Sequence, residues 1–206
     1  MNTLLKYLMI AGLLFSSTLF AQETEEAALK VMMVKKSDNF FAILKNKELD
    51  DETRKKQVLD EIGPLFDFKL MSRLALNKKM WKSLSKAQRK EFSDVFISRI
   101  QKSYLNKLDI FADVEVTMGD SVRVKKKRIE ITALIKTKAD TKKLIYKFYL
   151  TKKGEWLIYD ISVVGVSFLQ SYRAQYASFL KEHTFEELLD RLKTSDIAED
   201  DDKVKV

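Results

Sequence analysis

Two consecutive runs, Lys142 to Thr151 and Glu155 to Val164, are apolar on both of their alternating faces. In the first, Leu144, Tyr146, Phe148 and Leu150 share one face, while Ile145 and Tyr149 stand on the other. In the second, Leu157, Tyr159, Ile161 and Val163 oppose Trp156, Ile158 and Val164. Side chains alternate along a strand, so a strand apolar on both faces requires cover on both. Lys152-Lys153-Gly154 between the runs is a hairpin signal. The pair therefore predicts the middle of a two-sided sheet, and the rest of the chain must supply the cover.

The flanking sequence has the material for it. Helical spacing runs from about Glu25 to Lys47 (Leu29, Met32, Met33, Phe40, Phe41, Leu44) and from Asp51 to Ile62, where Gly63-Pro64 stops it. Asp67 is placed to cap a short helix carrying Phe68, Met71 and Leu74. Ser85-Lys86-Ala87-Gln88 is a capping box, Ser at the N-cap and Gln three residues on. It opens a long helix whose apolar positions run Phe92, Phe96, Ile100, Tyr104, Leu108 and Phe111. Strand alternation starts near Val114, with a bulge or turn expected at Gly119-Asp120. The apolar phase flips across Lys125-Lys126-Lys127-Arg128, which implies another bulge or turn. After the last strand, Ser167 and Thr184 each open a further capped helix. The expectation is one α+β domain: a curved antiparallel sheet of about four strands wrapped by helices.

The ends are set apart. Met1 to Ala21 has a lysine-bearing start, an apolar run from Tyr7 to Phe15 and a polar stretch ending at Ala21. That is the layout of a cleaved secretory signal peptide, and export of so basic a chain without cysteine suggests a bacterial periplasm. The domain is expected over residues 22–195. Residues 196–206, with five acids and two lysines, form an acidic tail whose charge density favours disorder. The whole chain carries a net charge of +8, so the body is basic. That suits anionic membrane surfaces or acidic partners, and for an exported protein nucleic acid is the least suitable.

Composition excludes much chemistry. With no cysteine and a single histidine, His183, thiol nucleophiles, cysteine-ligated zinc and multi-histidine metal sites are ruled out. Ser167 sits in Gly165-Val166-Ser167-Phe168-Leu169, which lacks the second glycine of a nucleophile elbow. A cap accounts for the hydroxyl, and Gly165 for the sharp entry into the helix. Arg173, further along the helix, suits a phosphate, a partner's acid or a hydrogen bond that holds the corner. An enzymatic reading would rest on a cavity acid such as Asp160, with no second suitable group near it.

Four segments together resemble one family. They are Phe66-Asp67-Phe68 with Met71 to Leu76, Trp81 with Leu84 to Arg89 and Phe92, Gly154 to Asp160, and Gly165 to Tyr176. In this order and spacing they are similar to the MlaC-type periplasmic phospholipid carriers, the toluene-tolerance auxiliary family. The sequence departs at Asn77-Lys78 and His183-Thr184, where glycines are usual, and in the acidic tail. The resemblance implies a cystatin- or NTF2-like fold with a deep apolar cavity holding phospholipid acyl chains as cargo, without a cofactor or an enzymatic activity. It implies a monomer that moves lipid between an outer-membrane lipoprotein complex and an inner-membrane ABC transporter bearing MCE domains, maintaining outer-membrane lipid asymmetry. Phe92, Phe96, Ile100, Tyr146, Phe148, Val163, Val166, Phe168 and Tyr172 are the expected lining. The alternative is a non-catalytic interaction module with a filled core, docking on an envelope complex through its basic face.

Overall fold

The computed structural model describes residues 25–111 and 114–194. The expected signal peptide and acidic tail lie outside them. Helix α1 covers residues 25–45, and α2 (Asp51–Ile62) follows, capped by Asp50, whose carboxylate accepts from Thr53 N. A 3-10 turn, Gly63–Leu65, uses Pro64 at its start, and α3 (Phe68–Ala75) opens on Asp67. Helix α4 (Lys78–Ser83) escaped the sequence reading. Six residues are too few to display a helical period, although Asn77 caps it through Met80 N.

Helix α5 (Lys86–Leu105) begins on the full capping box, with both Ser85 and Gln88 contributing their side chains. It ends at Leu105, earlier than the apolar spacing suggests. Leu108 and Phe111 belong to a separate 3-10 turn, Leu108–Phe111, where Phe111 meets Phe40 of α1 edge-on.

The sheet has five strands in sequential order, all antiparallel: β1 (Glu115–Lys125), β2 (Arg128–Lys136), β3 (Thr141–Leu150), β4 (Trp156–Val163) and β5 (Val166–Ser167). The expected irregularity at Gly119-Asp120 is a bulge between Met118 and Ser121. The phase flip after Val124 resolves into a tight turn at Lys126-Lys127 together with a shift between Arg123 and Lys125. The fifth strand was not expected, because two residues carry no alternation to read. It pairs Val166 with Val163 and Ser167 with Ser162, folding the chain back before α6 (Phe168–Phe179) begins. Helix α7 (Phe185–Thr194) closes the described chain, with Thr184 and Glu187 exchanging capping bonds.

Both faces of β3 and β4 are covered. Tyr146 pairs with Ile161 and Phe148 with Ile158, and this face joins Ile129 and Ile131 of β2. Leu29 and Met33 of α1 pack on it and complete one apolar cluster. The opposite face carries Lys147 across from Asp160, with α3 and α6 against β4. The second cluster is helical: Phe92, Phe96 and Ile100 of α5 meet Met71, Tyr172, Tyr176, Leu188 and Leu189. No strand residue belongs to its buried set, and Phe66 packs against both clusters. Among the described residues no helix is long and apolar enough to cross a membrane.

Candidate functional site

The strand-to-helix corner is built on unusual backbone. Val164 and Gly165 both have positive φ, 49° and 83°, forming the two-residue link between β4 and β5. Two successive positive φ values match the twist of a tight hairpin, and glycine adopts them without strain. A Cβ on Gly165 would meet no atom within 4 Å, so conformation and not space requires glycine there. Valine is branched at Cβ and disfavours this region. Val164 is nevertheless held by its N–H, which donates to Lys143 O at 2.9 Å.

Ser167 then acts twice. Its hydroxyl accepts from Gln170 N at 3.2 Å as the N-cap of α6, and donates to Asp160 Oδ2 at 2.7 Å. Asp160 is only 5% exposed and also receives Lys147 Nζ at 2.8 Å and Leu169 N at 3.1 Å. The carboxylate is thereby saturated by a lysine, a hydroxyl and a backbone amide. This gives it a structural task, joining β3, β4, β5 and α6 at one point, and leaves it poorly placed to act as a base. Its signal in the sequence was a charge inside an otherwise apolar strand. Arg173 is equally committed: Nε donates to Leu74 O at 2.9 Å, tying α6 to the last turn of α3. Of the roles open to Arg173, the structure realises the corner-holding one.

A second clamp stands on the same face of the sheet. Asp67 caps α3 through Leu70 N at 2.8 Å and accepts the Tyr149 hydroxyl. Asp67 N donates to Ile158 O at 2.9 Å, beside an isolated bridge between Phe66 and Ile158. Burial, then the bond to Asp67, pushes the Tyr149 hydroxyl up to about 12. The Arg128 guanidinium lies over the Tyr159 ring at 4.1 Å and the Tyr149 ring at 5.3 Å.

The nine expected lining residues fall in three environments. Phe92, Phe96, Ile100 and Tyr172 are buried inside the helical cluster, with Phe92 and Phe96 at 0% exposure, and Phe168 packs against its edge. Phe96 and Tyr172 meet edge-on at 5.7 Å, and Phe168 and Tyr172 rings lie 4.7 Å apart. Tyr146, Phe148 and Val163 sit on the inner face of the sheet. Burial alone pushes the Tyr146 hydroxyl up to about 12. Val166 differs from all of them: at 59% exposure it faces solvent at the hairpin tip. A two-residue strand entered by a tight turn leaves no element to cover it.

Half-buried apolar side chains rim both clusters, namely Phe66, Phe68, Tyr104 and Phe168 on the helical side and Met118, Tyr146 and Ile161 on the sheet side. Sequence spacing marked Tyr104 only as one more position of α5, and Phe66 not at all as a link between cores. The surface also carries an open bay of about 510 Å³ among α3, α4 and α5, whose lining includes Lys69, Trp81, Arg89, Lys90, Ser93 and Asp94. A groove of about 400 Å³ runs along the outer face of α1 beside Val31, Val34 and Asp38. Among the described residues no group of three His, Cys, Asp or Glu side chains is placed to hold a metal ion.

The fold has a solved counterpart. A phospholipid-binding protein from Ralstonia solanacearum, determined in complex with a phospholipid, superimposes with a TM-score of 0.68 at 19% identity, covering 80% of this chain and 94% of that one. No curated protein matches the sequence. The MlaC protein family matches residues 34–194, a span that includes both clamps, the corner, the helical cluster and the strand residues of the sheet cluster, and the chain therefore belongs to the MlaC family.

Proposed function

We propose that this protein is a periplasmic phospholipid carrier that holds acyl chains between its two apolar clusters and catalyses no bond-making step. The observation that carries the reading is the division of the interior into a sheet cluster and a helical cluster, with half-buried aromatic and aliphatic side chains along both rims. Burying a methylene is favourable by about 0.8 kcal/mol, so a two-chain lipid needs an enclosed apolar path to cross water. Phe66, Tyr104, Tyr146, Ile161, Val163 and Phe168 are the residues best situated to meet it. Phe92, Phe96, Ile100, Phe148 and Tyr172 form the walls behind them, and Val166 stands outside.

The related protein bound to a phospholipid supports this cargo class. A signal peptide over Met1 to Ala21, exchange with an outer-membrane lipoprotein complex and an inner-membrane MCE-bearing ABC transporter, and maintenance of outer-membrane asymmetry belong to the same reading. The full burial of Phe92 and Phe96 favours the second reading, an interaction module with a filled core.

Organic extraction and native mass spectrometry of protein purified without detergent separate the two. The carrier reading expects a phospholipid-sized mass increment and extractable phosphorus. A lipid-free protein that also takes up no lipid from vesicles would leave only the interaction module.

A further inference from the structure

One helical stretch of this molecule carries positive charge without any acid. Phe68 to Lys90, spanning α3, α4 and the first turn of α5, contains eight basic residues (Lys69, Arg73, Lys78, Lys79, Lys82, Lys86, Arg89, Lys90) and no acid. Several lysines of the other helices are neutralised locally: Lys55 pairs with Glu52, Lys56 with Asp60 and Lys36 with Glu61. Within the basic stretch Lys90 pairs with Asp94. Lys69, Lys78, Lys79, Lys82 and Lys86 are exposed, and no carboxylate pairs with them among the described residues.

The helices under this charge are tied together. Arg89 donates to Trp81 O at 2.8 Å and to Lys82 O at 3.0 Å, and lies over the Trp81 ring. Ser72 and Ser93 bond across α3 and α5 at 2.8 Å. The open bay of about 510 Å³ lies beside these groups, with Lys69, Arg89 and Lys90 at its lining together with Asp94, while Lys78, Lys79, Lys82 and Lys86 stand exposed outside it.

We propose that this α3–α4–α5 face is the surface through which the protein associates with anionic phospholipid bilayers. The composition selects a lipid surface over an acidic protein. Protein interfaces are enriched in arginine and depleted in lysine, whereas six of these eight cations are lysines and Arg89 is committed to carbonyls. Lysine is a compact charge on a flexible stem, suited to a fluid array of phosphates, where arginine suits fixed bidentate geometry. No large apolar side chain in the stretch is strongly exposed, so the contact is electrostatic and reversible with no insertion, as a shuttling protein requires. The proposal deepens the carrier reading by naming the surface used at the donor or acceptor membrane.

Flotation of the full chain with phosphatidylcholine vesicles, with and without phosphatidylglycerol, tests it. Binding is expected only to the phosphatidylglycerol vesicles, falling steeply as salt shortens electrostatic reach. The quadruple variant K78Q/K79Q/K82Q/K86Q should lose at least about tenfold in vesicle affinity, equivalent to about 1.4 kcal/mol. A charge-matched control, K126Q/K127Q/K152Q/K153Q on the hairpin turns, should lose little. Equal loss in both variants would assign the effect to net charge and overturn the proposal. So would equal binding to both vesicle types, or retention of an acidic protein without vesicle binding. Lipid content measured on the same preparations keeps the readings apart: a lipid-free protein that floats on anionic vesicles yet takes up no lipid from them defeats the carrier, and a lipid-loaded one that does not float defeats this surface.

Discussion

Asp160 sits among three donors and is nearly without water, so its partners depend on it as much as it on them. Asp160→Asn leaves Lys147 charged and largely buried without its counter-ion. Breaking a buried pair this way is expected to cost about 3 kcal/mol, read as a lowered urea midpoint. The double variant D160N/K147M should recover part of the loss, since no charge is then stranded. An unchanged midpoint for the single variant would show that the corner is held by other contacts. Tyr146 and Tyr149 make a second residue-scale prediction. Both hydroxyls are raised to about 12 in the fold, against an ordinary value near 10. An acid whose folded pKa is raised keeps its proton in the native state while the unfolded chain releases it. The contribution is complete below about pH 10 and is lost as pH rises towards 12. Alkaline unfolding followed by circular dichroism should therefore begin above pH 10, and Tyr146→Phe should move its onset upward.

At the scale of elements, the sequence carried its periods and its caps. Ser85 with Gln88, Thr184 with Glu187, and Asp67 ahead of Phe68 all mark helix starts that the structure contains, because a cap is a local bond between residues a few positions apart. Strands β3 and β4 were legible because their apolar runs extend over eight or more residues on either side of a hairpin signal. Helix α4 and strand β5 were not, since each is shorter than the period that would announce it. The candidate lining was legible in kind but not in place: apolar spacing identifies Phe92 and Tyr146 as interior residues without saying that they belong to different clusters. The link from β4 to β5 yields a prediction of its own. Val164 is 65% exposed with φ at 49°, a cost that no buried contact repays. Val164→Asn, better suited to this backbone, should stabilise the protein by about 1 kcal/mol. A higher thermal midpoint with unchanged lipid content is the expected result; a lower one would show that the valine makes a contact worth more than its strain.

For the whole molecule, the division of the interior governs what binding should do. The helical cluster and the sheet cluster are each internally packed, and Phe66 with the adjoining Asp67-to-Ile158 bond connects them. A phospholipid inserted along the rims would add contacts to both at once. Hydrogen exchange at Asp67 N and Val164 N should then slow by about tenfold, or about 1.4 kcal/mol, on loading with lipid, while amides central to α5 change little. Uniform protection across the chain would indicate general stabilisation without a seam. The sequential strand order has a different bearing, on how the chain assembles. Every strand pairs with its neighbour in sequence, so the sheet can grow hairpin by hairpin at small entropic cost. The bridge from Phe66 to Ile158 closes a far longer loop and gains its contacts only after that sheet exists. It is accordingly the contact expected to form late in folding and to release early in unfolding, and the chain reaches its final state by shutting the same joint that a cargo would have to open.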